Sequence, residues 1–272
     1  MPRSMSSPMS ARANLFQVVT FATDPLHGNP AFVLSGARGI SDDGLMAACT
    51  ILRTDVVAVV DEAAGGVTPL RFFTSKGVHG GAGHATLAAA HVALHNGAAR
   101  AVMFHTSNGN RAAQIEGKRI AVEFPVMPGA RVDRIVDIGA ALGARPTETL
   151  VAPFGYVAIY DDPATIAAMQ PDLERVATFD RTAVIATAPG RDGADIVIRV
   201  FAPNVGLPED PVCGTAHRII VPYWAERLGK KRIHSRQLSP RGGDLFCEDK
   251  GEVVVIGGDS SLIIDGTIRL PD

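Results

Sequence analysis

The chain changes from loop to buried helix at Gly206-Leu207-Pro208-Glu209-Asp210-Pro211-Val212-Cys213-Gly214-Thr215-Ala216-His217. Its prolines and glycines predict a loop, and the apolar residues 219–224 that follow predict a buried helix. Gly214 and Thr215 lie at the junction, where the free N–H groups at the start of a helix can bind an anion. Loops of this kind carry function more often than the elements that they connect. This stretch is therefore the first candidate for a site.

A simpler version of the same pattern occurs earlier, at Gly80-Gly81-Ala82-Gly83-His84-Ala85-Thr86-Leu87. It leads into an alanine-rich helix predicted over residues 85–95. Arg71-Phe72-Phe73 precedes the first loop just as Arg199-Val200-Phe201 precedes the second. Both predicted helices are apolar nearly all round, so each must be enclosed by other elements. We infer an internal duplication with its boundary near residues 125–128, and two loops that face each other across one site.

The order of predicted strands and helices gives both halves the same unit of strand, loop, buried helix and β-meander. The sequence therefore predicts an α+β protein of two pseudo-symmetric barrel-like halves, each a bent, mostly antiparallel sheet wrapped round a central helix. The predicted divisions are a disordered leader over residues 1–12, an N-terminal half over 13–126 and a C-terminal half over 127–272. The last strand can cross back to the first half. One α+β domain with accidental symmetry is the alternative.

Composition limits the classes of function. With 46% hydrophobic and 20% charged residues, the 272-residue chain has the composition of an ordinary globular protein. A net charge of −2 provides no basic field for nucleic acid or an anionic membrane, and no apolar run reaches the roughly 18 residues that a membrane helix needs. Cys49, Cys213 and Cys247 show neither a disulfide framework nor zinc-ligand spacing. We expect a cytoplasmic protein without a metal or cofactor.

Seven short motifs occur in order along the chain. They are Phe16 to Thr20, Gly28-Asn29-Pro30-Ala31, Arg71-Phe72-Phe73-Thr74, Ala82 to Leu87, Glu209 to His217, Pro222-Tyr223-Trp224-Ala225 and Gln237 to Gly243. Together they resemble the PhzF-like family of phenazine-biosynthesis isomerases and epimerases, from about Leu15 to the C-terminus. The resemblance implies the diaminopimelate-epimerase-like fold and a cofactor-independent isomerase with its site in the cleft between the halves. It also implies a homodimer, which is common in the family.

The family's reaction relocates a proton on a small carboxylic acid. By motif, the family's histidine, aspartate and serine correspond to His84, Asp210 and Thr215. The family's glutamate, its acid/base, corresponds to Thr50, or to Cys49 if the register slips by one residue. A threonine hydroxyl is no general base near neutral pH. The sequence therefore supports two functions: an isomerase, or a catalytically impaired family member that binds a metabolite or a protein partner.

Cys213-Gly214-Thr215 also resembles the C-G-T-G loop of diaminopimelate epimerase and proline racemase. Those enzymes use two facing cysteines, whereas the other loop of this chain has Ala82, which excludes a two-cysteine racemase. A single cysteine can serve a one-base reaction, and a helix N-terminus favours its thiolate.

The candidate catalytic residues are therefore His84, Asp210, Cys213 and Thr50, and the candidate substrate-binding residues are Gly83, Gly214, Thr215 and Ala216. Two helix N-termini aimed into one cleft favour a small carboxylic acid as the ligand. Structural alternatives are a capping role for His84, a turn role for Asp210 and a buried filler role for Cys213. We expect Glu209 to be solvated and His217 to pack in the core.

Overall fold

The computed structural model describes residues 11–95 and 99–271. Residues 1–10 of the predicted leader lie outside the described residues. Ala11 and Arg12, which the leader was also predicted to include, instead begin the first strand and pair with Leu270 and Arg269.

Seventeen strands and six α-helices make up the described chain. The strands are β1 (Ala11–Thr20), β2 (Asn29–Ser35), β3 (Val57–Val60), β4 (Thr68–Thr74), β5 (Gly77–His79), β6 (Ala101–Thr106), β7 (Gly109–Glu116), β8 (Arg119–Pro125), β9 (Ala130–Arg131), β10 (Glu148–Val151), β11 (Gly155–Ile159), β12 (Ala183–Pro189), β13 (Ile196–Phe201), β14 (Arg232–Gln237), β15 (Gly243–Asp249), β16 (Val253–Gly258) and β17 (Ser260–Leu270). The helices are α1 (Asp42–Leu52), α2 (Gly83–His95), α3 (Ile135–Leu142), α4 (Pro163–Ala168), α5 (Leu173–Val176) and α6 (Gly214–Leu228), with a 3-10 turn at Pro203–Val205.

The strand pairings repeat between the two halves. From β1 through β2, β3, β4, β6 and β7 to β8, the pairs are antiparallel, parallel, antiparallel, parallel, antiparallel and antiparallel. From β10 through β11, β12, β13, β14 and β15 to β16, the same sequence of directions recurs. One topology has therefore been built twice, which agrees with the duplication inferred from the sequence.

The two copies exchange strands. β8 and β16 pair antiparallel and so join the sheets of the halves. β17 leaves the second copy and runs antiparallel to β1 along its whole length, whereas β9 follows the first copy and pairs with β10. The halves are thus held by main-chain hydrogen bonds at several seams, and the geometry between them is fixed by the sheet.

Each sheet encloses one apolar helix, as the sequence predicted. Nine residues of α2 and eight of α6 are buried, so neither helix has a wholly polar face. They share a single large core with the inner faces of both sheets, in which Trp224 and Phe104 are among the bulkiest buried side chains. Two smaller cores lie under α1 in the first half and under α3, α4 and α5 in the second. The fold is the predicted α+β arrangement with two pseudo-symmetric halves.

Helix α2 begins at Gly83, two residues earlier than the sequence predicted, and this places His84 in its first turn. Just before the first glycine-bearing loop, Gly77–His79 forms the short strand β5, which pairs with β4. Helix α1 begins after Ser41, whose hydroxyl accepts a hydrogen bond from the Gly44 N–H and so acts as the N-cap. No helix of the described residues is both long and apolar enough to cross a membrane.

Candidate active site

The N-termini of α2 and α6 meet at the boundary between the halves. A Cβ added to Gly83 would lie 3.2 Å from the Cα of Gly214 and 3.5 Å from the Thr215 nitrogen. A Cβ added to Gly214 would lie 3.4 Å from the Cα of Gly83. A Cβ at Gly83 would therefore crowd the start of α6, whereas a Cβ at Gly214 would only reach ordinary contact distance with α2. Because each start carries free N–H groups and the positive end of a helix dipole, this junction favours negative charge nearby.

A cleft of about 280 Å³ opens beside this junction. Both halves line it, with His84 and Asp55 from the first half and Asp210 and Arg241 from the second. The remaining lining residues are Asn29, Pro30, Arg53, Thr54, Val56, Leu207 and Pro211. The cleft therefore brings together two of the predicted catalytic residues, His84 and Asp210, which are more than 120 positions apart in the sequence.

Asp210 is held by donors from both halves. Its Oδ1 accepts hydrogen bonds from the Asn29 Nδ2 at 3.2 Å and from the Val212 N–H at 3.1 Å, and the Cys213 thiol lies beside it. Burial raises the pKa of Asp210 to about 6, and the carboxylates of Asp55 and Glu209 add to the rise. The neighbouring thiol and N–H oppose it. A carboxyl with this pKa can both take and return a proton near neutral pH.

The loop that carries Asp210 is tied down at several points. Glu209 accepts from the Arg199 guanidinium at 2.7 and 2.8 Å, and both side chains are largely buried. The prediction that Glu209 is solvated was therefore wrong: the loop turns inward and needs a charge partner for Arg199. Gln237 accepts from the Cys213 N–H at 2.8 Å and donates to the Asp210 carbonyl. These bonds fix the position of the loop relative to β13 and β14.

His84 is a neutral imidazole at neutral pH. The loss of water around the ring lowers the pKa of His84 to about 4, and the electrostatic interaction with the neighbouring His79 ring contributes in the same direction. A neutral ring keeps one N–H donor and one free acceptor nitrogen, so it can bind a carboxylic acid or pass on a proton. Its partner across the cleft, Asp210, has the opposite shift.

Cys213 does not have the thiolate that its helix position suggested. The side chain is 4% exposed, and burial raises the pKa of the thiol well above its ordinary value. The negative charge of Asp210 raises the pKa further, while the Ala216 and Thr215 N–H groups at the helix start only partly oppose it. The expectation of a favoured thiolate was wrong, because desolvation outweighs the helix terminus here.

Thr50 and Cys49 lie away from the residues that line the cleft. Thr50 is exposed on α1, and Cys49 is buried, with its thiol donating to the Phe73 carbonyl at 3.2 Å. The carboxylate that does reach the cleft from this segment is Asp55. It was missed because α1 ends at Leu52 and Arg53 has a left-handed conformation (φ 51°), which turns residues 53–56 towards the cleft. A predicted helix end followed by an acidic residue was the available signal.

The predicted binding residues are distributed differently. Gly83, Gly214 and Thr215 line a second, much smaller cavity of about 50 Å³, which shares no lining residue with the cleft. Ala216 is fully buried, so its side chain packs in the core. His217 also packs there, as expected, between the Cys213 carbonyl and the Ser235 hydroxyl, each 2.8 Å from one of its ring nitrogens. No cluster of three or more His, Cys, Asp or Glu residues within 11–95 and 99–271 could hold a metal ion.

Comparison with known proteins adds a family to this geometry. The model of the PhzC-PhzF family, described as phenazine biosynthesis-like protein, matches residues 18–266. An uncharacterized isomerase of Pseudomonas aeruginosa is 38% identical over 261 residues, which cover 94% of this chain and 98% of that protein. A crystal structure of a phenazine biosynthesis protein of the PhzF family from Enterococcus faecalis is 30% identical, with a TM-score of 0.88, and covers 95% of this chain and 99% of that one.

A more distant structure has the same architecture. A hydroxyproline epimerase from Agrobacterium vitis has a TM-score of 0.62 and 13% identity, and covers 98% of this chain and 95% of its own. At that identity the likeness shows the fold alone. The two-half arrangement is thus shared between proteins whose sequences have diverged widely.

Proposed function

The chain belongs to the PhzC-PhzF family of phenazine biosynthesis-like proteins, and from this premise we propose that it relocates a proton on a small carboxylic acid bound in the cleft between its halves. Relatives named as isomerases and the shared fold support an isomerase or epimerase in general. Our proposal extends this general function in three respects: it names the class of substrate, the cleft as the binding site and the residues that transfer the proton.

The observation that carries the proposal is the pairing of Asp210 with His84 in one cleft. Their pKa values are displaced to about 6 and about 4, so at neutral pH the first is a carboxylate and the second is a neutral imidazole. The hydrogen bonds from Asn29 and Val212 both go to Oδ1 of Asp210, and in this proposal Oδ2 is the oxygen that meets the substrate. Titratable groups whose environments displace their pKa values in this way mark candidate acid/base residues.

The proposed step conserves atoms and electrons. Oδ2 of Asp210 removes a proton from a carbon whose electron pair is delocalised into the adjacent carboxylic acid or double bond. The Asp210 carboxyl exchanges this proton with solvent and returns a proton to a different carbon of the substrate. In an epimerisation, a solvent proton instead adds to the opposite face of the same carbon, and the proton on Asp210 is lost to solvent. His84 donates a hydrogen bond to the substrate's acid group and holds it in place. Since no electrons leave the substrate, the step requires no redox cofactor.

Asp55 completes the proposed acid/base group. It lies in the cleft with His84 and raises the pKa of Asp210 through its charge. In this proposal it takes the place of the glutamate for which the sequence offered only Thr50 or Cys49. Its role is positioning and electrostatic, because it keeps Asp210 basic enough to accept a proton from carbon.

A second function is metabolite binding without turnover. The observation that favours it is Thr50, which stands where the family resemblance implies a glutamate and lies outside the cleft lining. Against it stands the presence of two carboxylates beside His84 in the same cleft. A binding protein has no need of a carboxyl whose pKa is raised to about 6.

Solvent deuterium incorporation tests the proposal. The protein is incubated in D₂O with a panel of small carboxylic acids, including a hydroxylated dihydroanthranilate, and the products are examined by mass spectrometry. We expect incorporation into at least one acid, and about 10²–10⁴-fold less with the near-isosteric Asp210→Asn variant. Binding of an acid in the panel without exchange, equal in both proteins, would support the second function instead.

Two further expectations are part of the proposal. The homodimer that is common in the family is checked by light scattering of the purified protein in solution. Cytoplasmic location stays a prediction, which fractionation of the source cells would test.

A further inference from the structure

A second cavity lies at the helix junction, and we name it the arginine pocket after Arg111 and Arg218, which line it. Its volume is about 50 Å³, which is enough for a few atoms but too small for a whole substrate. Gly83 and Gly214, at the starts of α2 and α6, form part of its wall, and so does Thr215. The pocket and the catalytic cleft have no lining residue in common.

Among the residues that the structure describes, neither arginine has an acidic partner. Arg111 is 8% exposed and donates only to carbonyl groups, from Nη1 to Asn110 at 2.7 Å and from Nη2 to Asn108 at 2.8 Å. Arg218 donates from Nε to the Pro125 carbonyl at 2.8 Å. None of the salt bridges among residues 11–95 and 99–271 includes either of them.

The two guanidinium groups line the same small cavity, and their positive charges repel each other. Burial lowers the pKa of both side chains, and the charge of Arg111 lowers the pKa of Arg218 further. Buried charges are normally paired, as Arg199 is with Glu209 in the second half of this chain. Two like charges at one small cavity, with no carboxylate between them, form an arrangement that an anion would stabilise.

The rest of the wall has the same polarity. The N-termini of α2 and α6, helices of 13 and 15 residues, add free N–H groups and the positive ends of two dipoles. Arginine presents several N–H donors in a planar fork, which suits the oxygens of a carboxylate or phosphate. A group with two or more oxygens and a negative charge matches both the donors and the size.

We propose that the arginine pocket binds a compact oxyanion, held by Arg111 and Arg218 against the paired helix N-termini. The oxyanion comes either from a free inorganic anion or from a second acid group on the substrate. The first source makes the pocket a separate site of the protein, and the second restricts the substrate to diacids. The binding measurement requires no turnover, so its failure is distinguishable from failure of the proposed isomerase function.

The test measures phosphate binding to the full-length protein at low ionic strength by isothermal titration calorimetry. We expect inorganic phosphate to bind, and Arg218→Gln to weaken it by about tenfold to a hundredfold because one charge-assisted contact is lost. Arg227→Gln is the matched control, since it removes an arginine from the same helix that pairs with Glu148 outside the pocket. That control should bind phosphate like the wild type.

A second arm covers the substrate as the source. Dicarboxylic acids should compete with phosphate, or bind more tightly than matched monocarboxylic acids, and Arg218→Gln should remove the difference. Thermal melting in anion-free buffer adds a readout that a purely structural arginine would not give. Arg218→Gln loses the bond to the Pro125 carbonyl but relieves the repulsion from Arg111, so its melting temperature should lie less far below that of the wild type in anion-free buffer than in phosphate. Phosphate and dicarboxylates that both bind equally well to wild type and variant, or bind to neither, would overturn the proposal.

Discussion

The loops at the starts of α2 and α6 occupy equivalent places in the duplicated sheet, yet they are held very differently. In the second loop, Glu209 forms a two-bond contact with the buried Arg199, and Gln237 bonds to the main chain on both sides of the turn. In the first loop, the Gly80 carbonyl accepts from Asn108 and the Gly81 N–H donates to His79. The pseudo-equivalent Arg71 points to Asp61 and Asp42 in a more exposed setting.

The difference follows from what each loop carries. The second loop carries Asp210, a charge that must stay in a buried position and therefore needs fixed donors around it. The first carries His84, which is neutral at neutral pH and needs no counter-charge. In a pseudo-symmetric fold, the loop that carries Asp210 is thus fixed by several side-chain contacts, whereas the loop that carries His84 has fewer. The following predictions test this contrast, from the largest expected effect to the smallest.

The largest expected effect is on proton exchange. A variant at Asp210 should mainly lower the exchange rate, whereas a variant at His84 should mainly weaken substrate binding. Asp210→Asn removes the base and should lower the exchange rate by about 10²–10⁴-fold with little change in substrate affinity. His84→Gln removes a contact to the acid group, so it should weaken substrate binding more than it slows exchange. Deuterium exchange measured over a range of substrate concentrations separates the two effects. Equal losses of rate with unchanged affinity in both variants would contradict the assigned roles.

Stability gives the next comparison, between the two equivalent arginines. Arg199→Met leaves Glu209 buried without its partner and should cost about 3–5 kcal/mol in the free energy of unfolding. Arg71→Met breaks partly exposed pairs and should cost less than about 1 kcal/mol from the lost ion pairs. Urea denaturation of both variants measures the difference. Similar losses would show that the two loops are held equally tightly.

Thiol reactivity provides a smaller contrast at the same pair of loops. Cys213 is buried with a raised pKa, so iodoacetamide should label it no faster than Cys247 in the folded protein. The pseudo-equivalent residue of the first loop is the partly exposed Ala82. A cysteine placed there by Ala82→Cys should therefore react faster than Cys213. Peptide mass spectrometry of a timed reaction measures both rates, and rapid labelling of Cys213 would restore it as a candidate base.

The smallest effect concerns pH. Asp210 must be ionised to accept a proton, so exchange should fall as pH decreases through about 6. Asp55→Asn removes a negative charge that raises the pKa of Asp210, and should shift this limb towards lower pH. Arg53→Gln is the control, because it changes a cleft residue without removing a negative charge. If the pH at which exchange decreases is the same in Asp55→Asn as in the wild type, Asp55 does not influence the ionisation of Asp210.

The same shifts fix the direction of the pH effect on stability. The folded-state pKa of Asp210 is above its unfolded value, so its contribution to stability is lost as pH rises from about 4 to about 6. The folded-state pKa of His84 is below its unfolded value, so stability is lost as pH falls from about 6.5 to about 4. Asp210→Asn removes the first of these contributions and keeps the second. The free energy of unfolding of this variant should therefore decrease as pH falls from about 6.5 to about 4.

Local sequence was sufficient for much of the fold. The nearly all-apolar helices after residues 83 and 214 could only be enclosed, and the repeated order of strands, loops and helices indicated the duplication. The N-cap at Ser41 also follows from neighbouring residues alone, because capping is a local property. The short strand β5 was missed, since Gly77–His79 has little strand propensity and forms only by pairing with β4.

The candidate active site shows more clearly what could not be predicted from the sequence. Sequence motifs brought His84 and Asp210 forward as partners, but the helix-terminus argument alone predicted the wrong ionisation for Cys213. It overlooked Asp55, and it offered no reason to connect Arg111 with Arg218. In each case the outcome depends on burial and on neighbours from the other half of the chain.

By itself, the sequence determined which segments are helices to be buried, where the glycine-bearing loops lie and which family the motifs resemble. Only the tertiary structure decided which charges share an environment: Asp210 with Asp55 and His84, and Arg111 with Arg218. The reason is physical. Hydrophobic periodicity and capping act between residues a few positions apart, whereas desolvation and charge interactions depend on distances that the sheet sets between residues more than a hundred positions apart.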